Sequence, residues 1–155
     1  MKEPTAEELI EMKEMLPLTF EETVEEVGDD FRFLFGLPHP AVPPYESFYR
    51  YSIGDRPGFR GKAAEEAERF YRSVGLVIHE EFDLIPDHIS AELIFMGYLV
   101  WHDMEEPQRR FLDEHLLIWV PDFCDRLKAT AGTVFYREVA KLLREYILSE
   151  KESPA

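Results

Sequence analysis

The clearest residues for chemistry in this chain are acidic. Asp87 and His88 are adjacent, Glu92 follows four positions after His88, and Glu80 precedes them. On a helix, positions i and i+4 share a face, so His88 and Glu92 are placed to interact. Carboxylates beside an imidazole suit proton handling or the gripping of a cationic ligand, and no spacing singles out one catalytic pair. A second group, Tyr45-Glu46-Ser47-Phe48-Tyr49, is rich in rings and follows a proline-rich stretch. Beside such a stretch, rings can stay partly exposed and line an apolar groove. Core packing is the other reading. The two are evenly balanced for Tyr45, while Phe48 reads as core.

Several chemistries are absent. Gly61-Lys62 is followed by alanine and lacks the upstream glycine of a phosphate loop. No serine sits in Gly-x-Ser-x-Gly. A di-iron bundle needs Glu-x-x-His, but the residues three before the five histidines are Gly36, Leu76, Ile85, Leu99 and Leu112. Cys124 is the only cysteine, which excludes an internal disulfide and a thiolate cluster within one chain. Arg109-Arg110-Phe111-Leu112 lies mid-chain in a predicted helix and reads as two surface arginines. No metal or cofactor is expected.

The elements that must position these residues read as helices. Thr5 with Glu8, and Thr19 with Glu22, are capping-box pairs. Pro17 ends the first helix. The second carries Phe20, Val24, Val27, Phe31 and Leu34 as one apolar stripe. Gly36 to Pro44 is an extended linker, residues 45–49 are a helical turn or an extended segment, and Ile53 to Gly61 is a loop. Lys62 to Val74 predicts an amphipathic helix with Ala63, Ala67, Phe70 and Val74 inward, stopped by Gly75. Leu76 to Ile85 is a connection, since no second strand exists to pair with it. A helix from about Pro86-Asp87 to Met104 is apolar around much of its circumference, which predicts the centre of a bundle. There Asp87 would stabilise the helix N-terminus. Pro107 opens the next helix, with His115 and Trp119 in the core, and Pro121 breaks or kinks it. Thr133 starts a last helix with Val139, Leu142, Leu143, Tyr146 and Ile147 inward, frayed from Ser149. The expected fold is an all-α, single-domain bundle of six or seven helices. Residues 1–35 form its N-terminal helices, 36–61 a linker and 62–148 its helical core.

Charge narrows the partners. The chain has 17 basic and 32 acidic residues, a formal charge of −15. Phosphate backbones and anionic membrane surfaces are repelled, whereas a basic peptide is attracted. The acid is dense in residues 1–30 and reads as a solvated face. No apolar signal segment or run of 18 apolar residues occurs, so a soluble cytoplasmic protein is expected.

Three blocks carry a resemblance. They are Pro43-Pro44-Tyr45-Glu46-Ser47-Phe48-Tyr49, Pro86-Asp87-His88-Ile89-Ser90-Ala91-Glu92-Leu93-Ile94-Phe95-Met96, and His115-Leu116-x-x-Trp119-x-Pro121-x-Phe123 followed by Phe135-Tyr136. In order and spacing they resemble the TorD/DmsD/NarJ family of redox-enzyme maturation chaperones. The fuller family signature, Glu-x-x-x-Glu-Pro-Asp-Asp-His, is only partly present. Glu80 and Asp87 match its outer acids, while Leu84, Ile85 and Pro86 replace the intervening Glu-Pro-Asp.

The resemblance implies an all-helical, non-enzymatic chaperone. Such a protein binds the twin-arginine signal peptide, or an equivalent N-terminal segment, of a molybdopterin oxidoreductase catalytic subunit, and some relatives form domain-swapped dimers. It implies a peptide site at Tyr45, Glu46, Ser47, Phe48, Tyr49, Glu80, Pro86, Asp87, His88 and Glu92. Asp87 and Glu80 would pair with peptide arginines, and His88 would orient Asp87 or donate to a peptide carbonyl. A helical adaptor that binds a partner's helix without chaperone activity is the alternative.

Overall fold

A capping box opens the first helix of the computed structural model, which describes residues 22–50, 61–79 and 81–152. Thr23 accepts from the Glu26 backbone, and the Glu26 carboxylate accepts from the Thr23 backbone, so α1 runs Val24–Phe35. The expected start is the Thr19–Glu22 pair, whereas the pair at 23 and 26 caps this helix; Thr19 lies outside the described residues. The predicted stripe is corrected as well. Of that stripe Leu34 is buried as expected, but Val24 and Phe31 are exposed, and the other buried residue of α1 is Asp30. Gly36 ends α1, where a Cβ would collide with the Arg32 carbonyl.

Beyond the linker, residues 45–49 resolve into an extended entry at Tyr45 and a single helical turn, α2, Ser47–Arg50. α3, Lys62–Ser73, matches its prediction: Ala63, Ala67 and Phe70 are buried, and Gly75 at φ 85° takes the left-handed conformation that stops it. Leu76 to Ile85 is a connection containing no strand among the described residues.

α4 spans Ile89–Trp101 with His88 as its N-cap, three residues later than Pro86 and three short of Met104. It buries Ala91, Glu92, Phe95, Met96 and Leu99, but Ile94, Val100 and Trp101 face outward. The expected central position is therefore half right, since one apolar flank is left at the surface. α5, Glu105–Phe111, passes into a π turn, Leu112–Leu116, and then into α6, Leu117–Thr130. Pro121 sits inside α6, and the widened turn ends directly before Leu117, the residue whose carbonyl the proline cannot satisfy. The chain stays helical, with its irregularity one turn ahead of the proline.

α7, Val134–Glu152, continues past Ser149 rather than fraying there. It carries two parallel apolar stripes, and the structure buries the one containing Ala140 and Ile147, leaving Val139, Leu142 and Tyr146 exposed. α6 and α7 pack most extensively, with Arg144 bridging to Asp125 at 2.9 Å. Their core joins Leu34, Phe70, Phe95, Leu99, Phe111, Leu116, Trp119 and Phe123. Each such side chain contributes ~1.5–3 kcal/mol by leaving water. Seven α-helical segments and one π turn among the described residues make the predicted all-α bundle.

Candidate functional site

The linker and the start of α4 are joined by a two-rung antiparallel bridge. The Glu46 N–H donates to the Asp87 carbonyl at 2.9 Å, and the Ile89 N–H donates to the Pro44 carbonyl at 2.9 Å. Prolines at 43 and 44 keep this stretch extended, which makes it available for pairing. The Ser47 N–H, an open donor at the start of α2, donates to the Asp87 carboxylate at 3.1 Å. The Tyr71 hydroxyl donates to the Pro86 carbonyl at 2.6 Å and ties α3 to the same corner. The two segments singled out in the sequence thus form one unit.

Their side chains divide between surface and interior. The Tyr45 and His88 rings meet edge-on at 5.0 Å, and Phe48 packs on Tyr45 at 6.1 Å. Phe48 is exposed, which corrects its assignment to the core. Tyr49 packs against Trp119 and Phe123. Asp87 is 1 % exposed, so it caps α2 from within rather than standing at the head of α4. Burial pushes its carboxyl up despite the Ser47 hydrogen bonds, and the Glu46 charge adds to the rise. His88 Nδ1 accepts from the Ser90 N–H, so the imidazole caps its own helix instead of orienting Asp87. Glu80 lies outside the described residues.

Beneath this corner is a polar cluster that spacing in the sequence did not disclose. Glu46 and Glu92 are both fully buried and His115 nearly so. His115 Nδ1 lies 2.8 Å from Glu46 Oε2, and the Trp119 indole N–H donates to Glu92 Oε2 at 2.8 Å. Arg50 binds Glu46 Oε1 at 2.8 Å and reaches Glu66 at 2.9 Å. Glu92 Oε1 has no hydrogen-bond donor directed at it. Glu92 therefore faces Trp119 across the core and not His88 along its own helix.

Two buried carboxylates this close do not both ionise cheaply. Burial, and then the neighbouring Glu46 charge, push Glu92 well above the usual carboxylate range. Burial opposes ionisation of Glu46 too, but the His115 hydrogen bond and charge, the Glu92 hydrogen bond and Arg50 hold it below its ordinary value. Of the two, Glu92 is therefore the harder to ionise and Glu46 the easier. His115 and Trp119 are core residues, as expected, and they also hold these acids. The contribution of His115 was illegible because 69 residues separate it from Glu46 and a π turn sets its direction.

Two cavities flank the corner. One, ≈ 790 Å³, lies between α3 and the 76–86 connection, with Glu65, Asp83, His79 and the Glu68–Arg72 ion pair among its walls. The other, ≈ 280 Å³, is lined by Leu76, Val77, Ile94, Phe95 and Tyr98. Ile78 and Leu84 belong to both, so an acidic cavity and an apolar one adjoin. Neither cavity was anticipated residue by residue. The exposed apolar flank of α4 was the available signal, but periodicity alone assigned it to the interior.

Fold and site together define an all-helical class of protein in which a Pro-Pro-Tyr segment is stitched to an Asp-His helix start. The chain belongs to the nitrate reductase delta subunit family, whose model matches residues 1–125. It is 30 % identical over 139 residues to the chaperone protein TorD of a Psychrobacter species, covering 83 % of this chain and 62 % of the relative. It is 30 % identical over 137 residues to the chaperone protein TorD of Photobacterium profundum, covering 81 % and 62 %. A perchlorate reductase assembly chaperone protein of Dechloromonas aromatica is 28 % identical over 137 residues, covering 77 % and 59 %. The chain thus spans about three fifths of the length of these curated relatives. The family bears out the resemblance carried by the three sequence blocks. No helix among the described residues is long and apolar enough to cross a membrane.

Proposed function

We propose that this chain is a non-enzymatic maturation chaperone that captures the cationic, then apolar, N-terminal leader of a molybdopterin oxidoreductase subunit in the cytoplasm. The observation that carries this reading is the junction of the two cavities at Ile78 and Leu84. A twin-arginine leader has a basic start and an apolar middle. Glu65 and Asp83 suit the first property, and Leu76, Val77 and Ile94 the second. Asp87 then serves the site from below, by holding the Pro44–Ser47 segment against the corner. The relatives named as chaperones point the same way.

Calorimetry with a synthetic twin-arginine leader and the full chain tests the proposal. Saturable one-to-one binding is expected at low salt, weakening as salt screens the acidic wall. Ile94→Asp places a charge in the apolar cavity and is expected to weaken binding at least ~10-fold with helical content unchanged. A leader that fails to bind at low salt, or binds Ile94→Asp as tightly as the parent, defeats the groove. Capture of a reductase subunit with and without its leader distinguishes this chaperone from an adaptor for a partner's helix.

A further inference from the structure

We propose that Glu46, Glu92 and His115 form a buried binding site for a divalent transition-metal ion of the zinc or ferrous class. One donor atom from each lies within 4.8 Å of the other two. All three residues are buried. An ion with bonds of ~2.0–2.2 Å spaces its ligands by roughly 3.3–3.6 Å, so the Glu46–His115 pair, now 2.8 Å apart, opens and Glu92 adjusts to join it within the 4.8 Å cluster. Two carboxylates and one imidazole are the donor set that suits Zn²⁺ or Fe²⁺, and two carboxylate charges cancel the charge of the ion. That neutrality matters in an interior where net charge is costly.

Glu92 Oε1 is the independent observation. It is a solvent-excluded carboxylate oxygen with no hydrogen-bond partner, on a member of this cluster that is 0 % exposed. The remaining oxygens are already oriented. Trp119 holds Glu92 Oε2 and Arg50 holds Glu46 Oε1, the kind of outer contact that fixes ligands around an ion. His115 also lines a cavity of ≈ 670 Å³ together with Arg50, Glu66 and Glu114, which offers a route in from solvent. The ion takes the place of the protons that otherwise lie between these groups.

The test is titration of the chelator-treated full chain with ZnCl2 by calorimetry, with CoCl2 absorption spectra reporting coordination. One tight equivalent is expected, with the visible bands of a low-coordinate cobalt site. Glu92→Gln keeps an acceptor for Trp119 and a donor for Glu46, so it preserves the fold while removing a ligand. It is expected to weaken binding at least ~100-fold at unchanged helical content. His115→Gln is expected to abolish the cobalt bands. Absence of a tight equivalent in the parent overturns the site. Equal binding by Glu92→Gln also overturns it, placing the ion on the exposed acids instead. Leader binding is a separate measurement, so either idea can fail alone.

Discussion

Glu46→Ala is expected to lower stability by about 3–5 kcal/mol, the cost of breaking a buried charged network from one side. The substitution removes the acceptor facing His115 Nδ1, one of the two carboxylates on Arg50, and the charge beside the Glu92 acid. For a chain of this length that loss corresponds to a fall in Tm of about 10 °C. Glu92→Gln is the informative contrast. A neutral amide replaces a group whose ionisation burial and the Glu46 charge oppose, so its effect should stay within about 1 kcal/mol. Thermal melts followed by circular dichroism separate the two. A Glu46→Ala protein melting with the parent would show that the network contributes nothing to folding.

Asp30→Ala is expected to cost about 2 kcal/mol by unfastening α1 from the start of α7. Asp30 accepts from the Gly132 N–H at 3.1 Å, the Thr133 N–H at 2.9 Å and the Thr133 hydroxyl at 2.6 Å. It acts as a cap supplied by a residue a hundred positions away, placing negative charge where the α7 dipole favours it. Burial alone would raise this carboxyl, but Thr133, Gly132 and Arg137 together hold it below the ordinary value. Its contribution is therefore present above the unfolded value of about 3.9 and is lost as pH falls through the lower folded value. Asp30→Ala should melt lower than the parent at pH 7, and the gap should close in strong acid. A gap that is constant with pH would mean that the ionised carboxylate is not what fastens the helices.

How far the sequence could be read depends on whether a signal is local. α3 was legible almost to the residue because its buried face and the left-handed Gly75 are both decided within the helix and its cap. α7 was not, because Val139, Leu142 and Tyr146 recur at the same interval as Ala140, Leu143 and Ile147. Only the position of α6 decides between the two stripes. Glu22 shows the same limit. It reads as the end of a local capping pair, yet its carboxylate accepts from the Val134 and Phe135 N–H groups at 2.6 and 3.0 Å. At the site, residues 44–47 pair with 87–89, which joins the first two family blocks. The depth of Glu46, Asp87 and Glu92 did not announce itself, since acids of this kind are rarely buried without partners. Each partner, Ser47 for Asp87, His115 for Glu46 and Trp119 for Glu92, comes from a segment distant in sequence from its acid.

The two-rung bridge at Pro44–Ile89 also bears on communication. Leu84, Ile85 and Pro86 wall the acidic cavity, and the very next residue grips Glu46 and Ser47 through its carbonyl and carboxylate. Groove and polar interior are thus neighbours along one short stretch of chain. Reciprocity follows from equilibrium: whatever factor a leader in the groove imposes on proton or ion affinity at Glu46 and Glu92, occupancy there returns to the leader's own affinity.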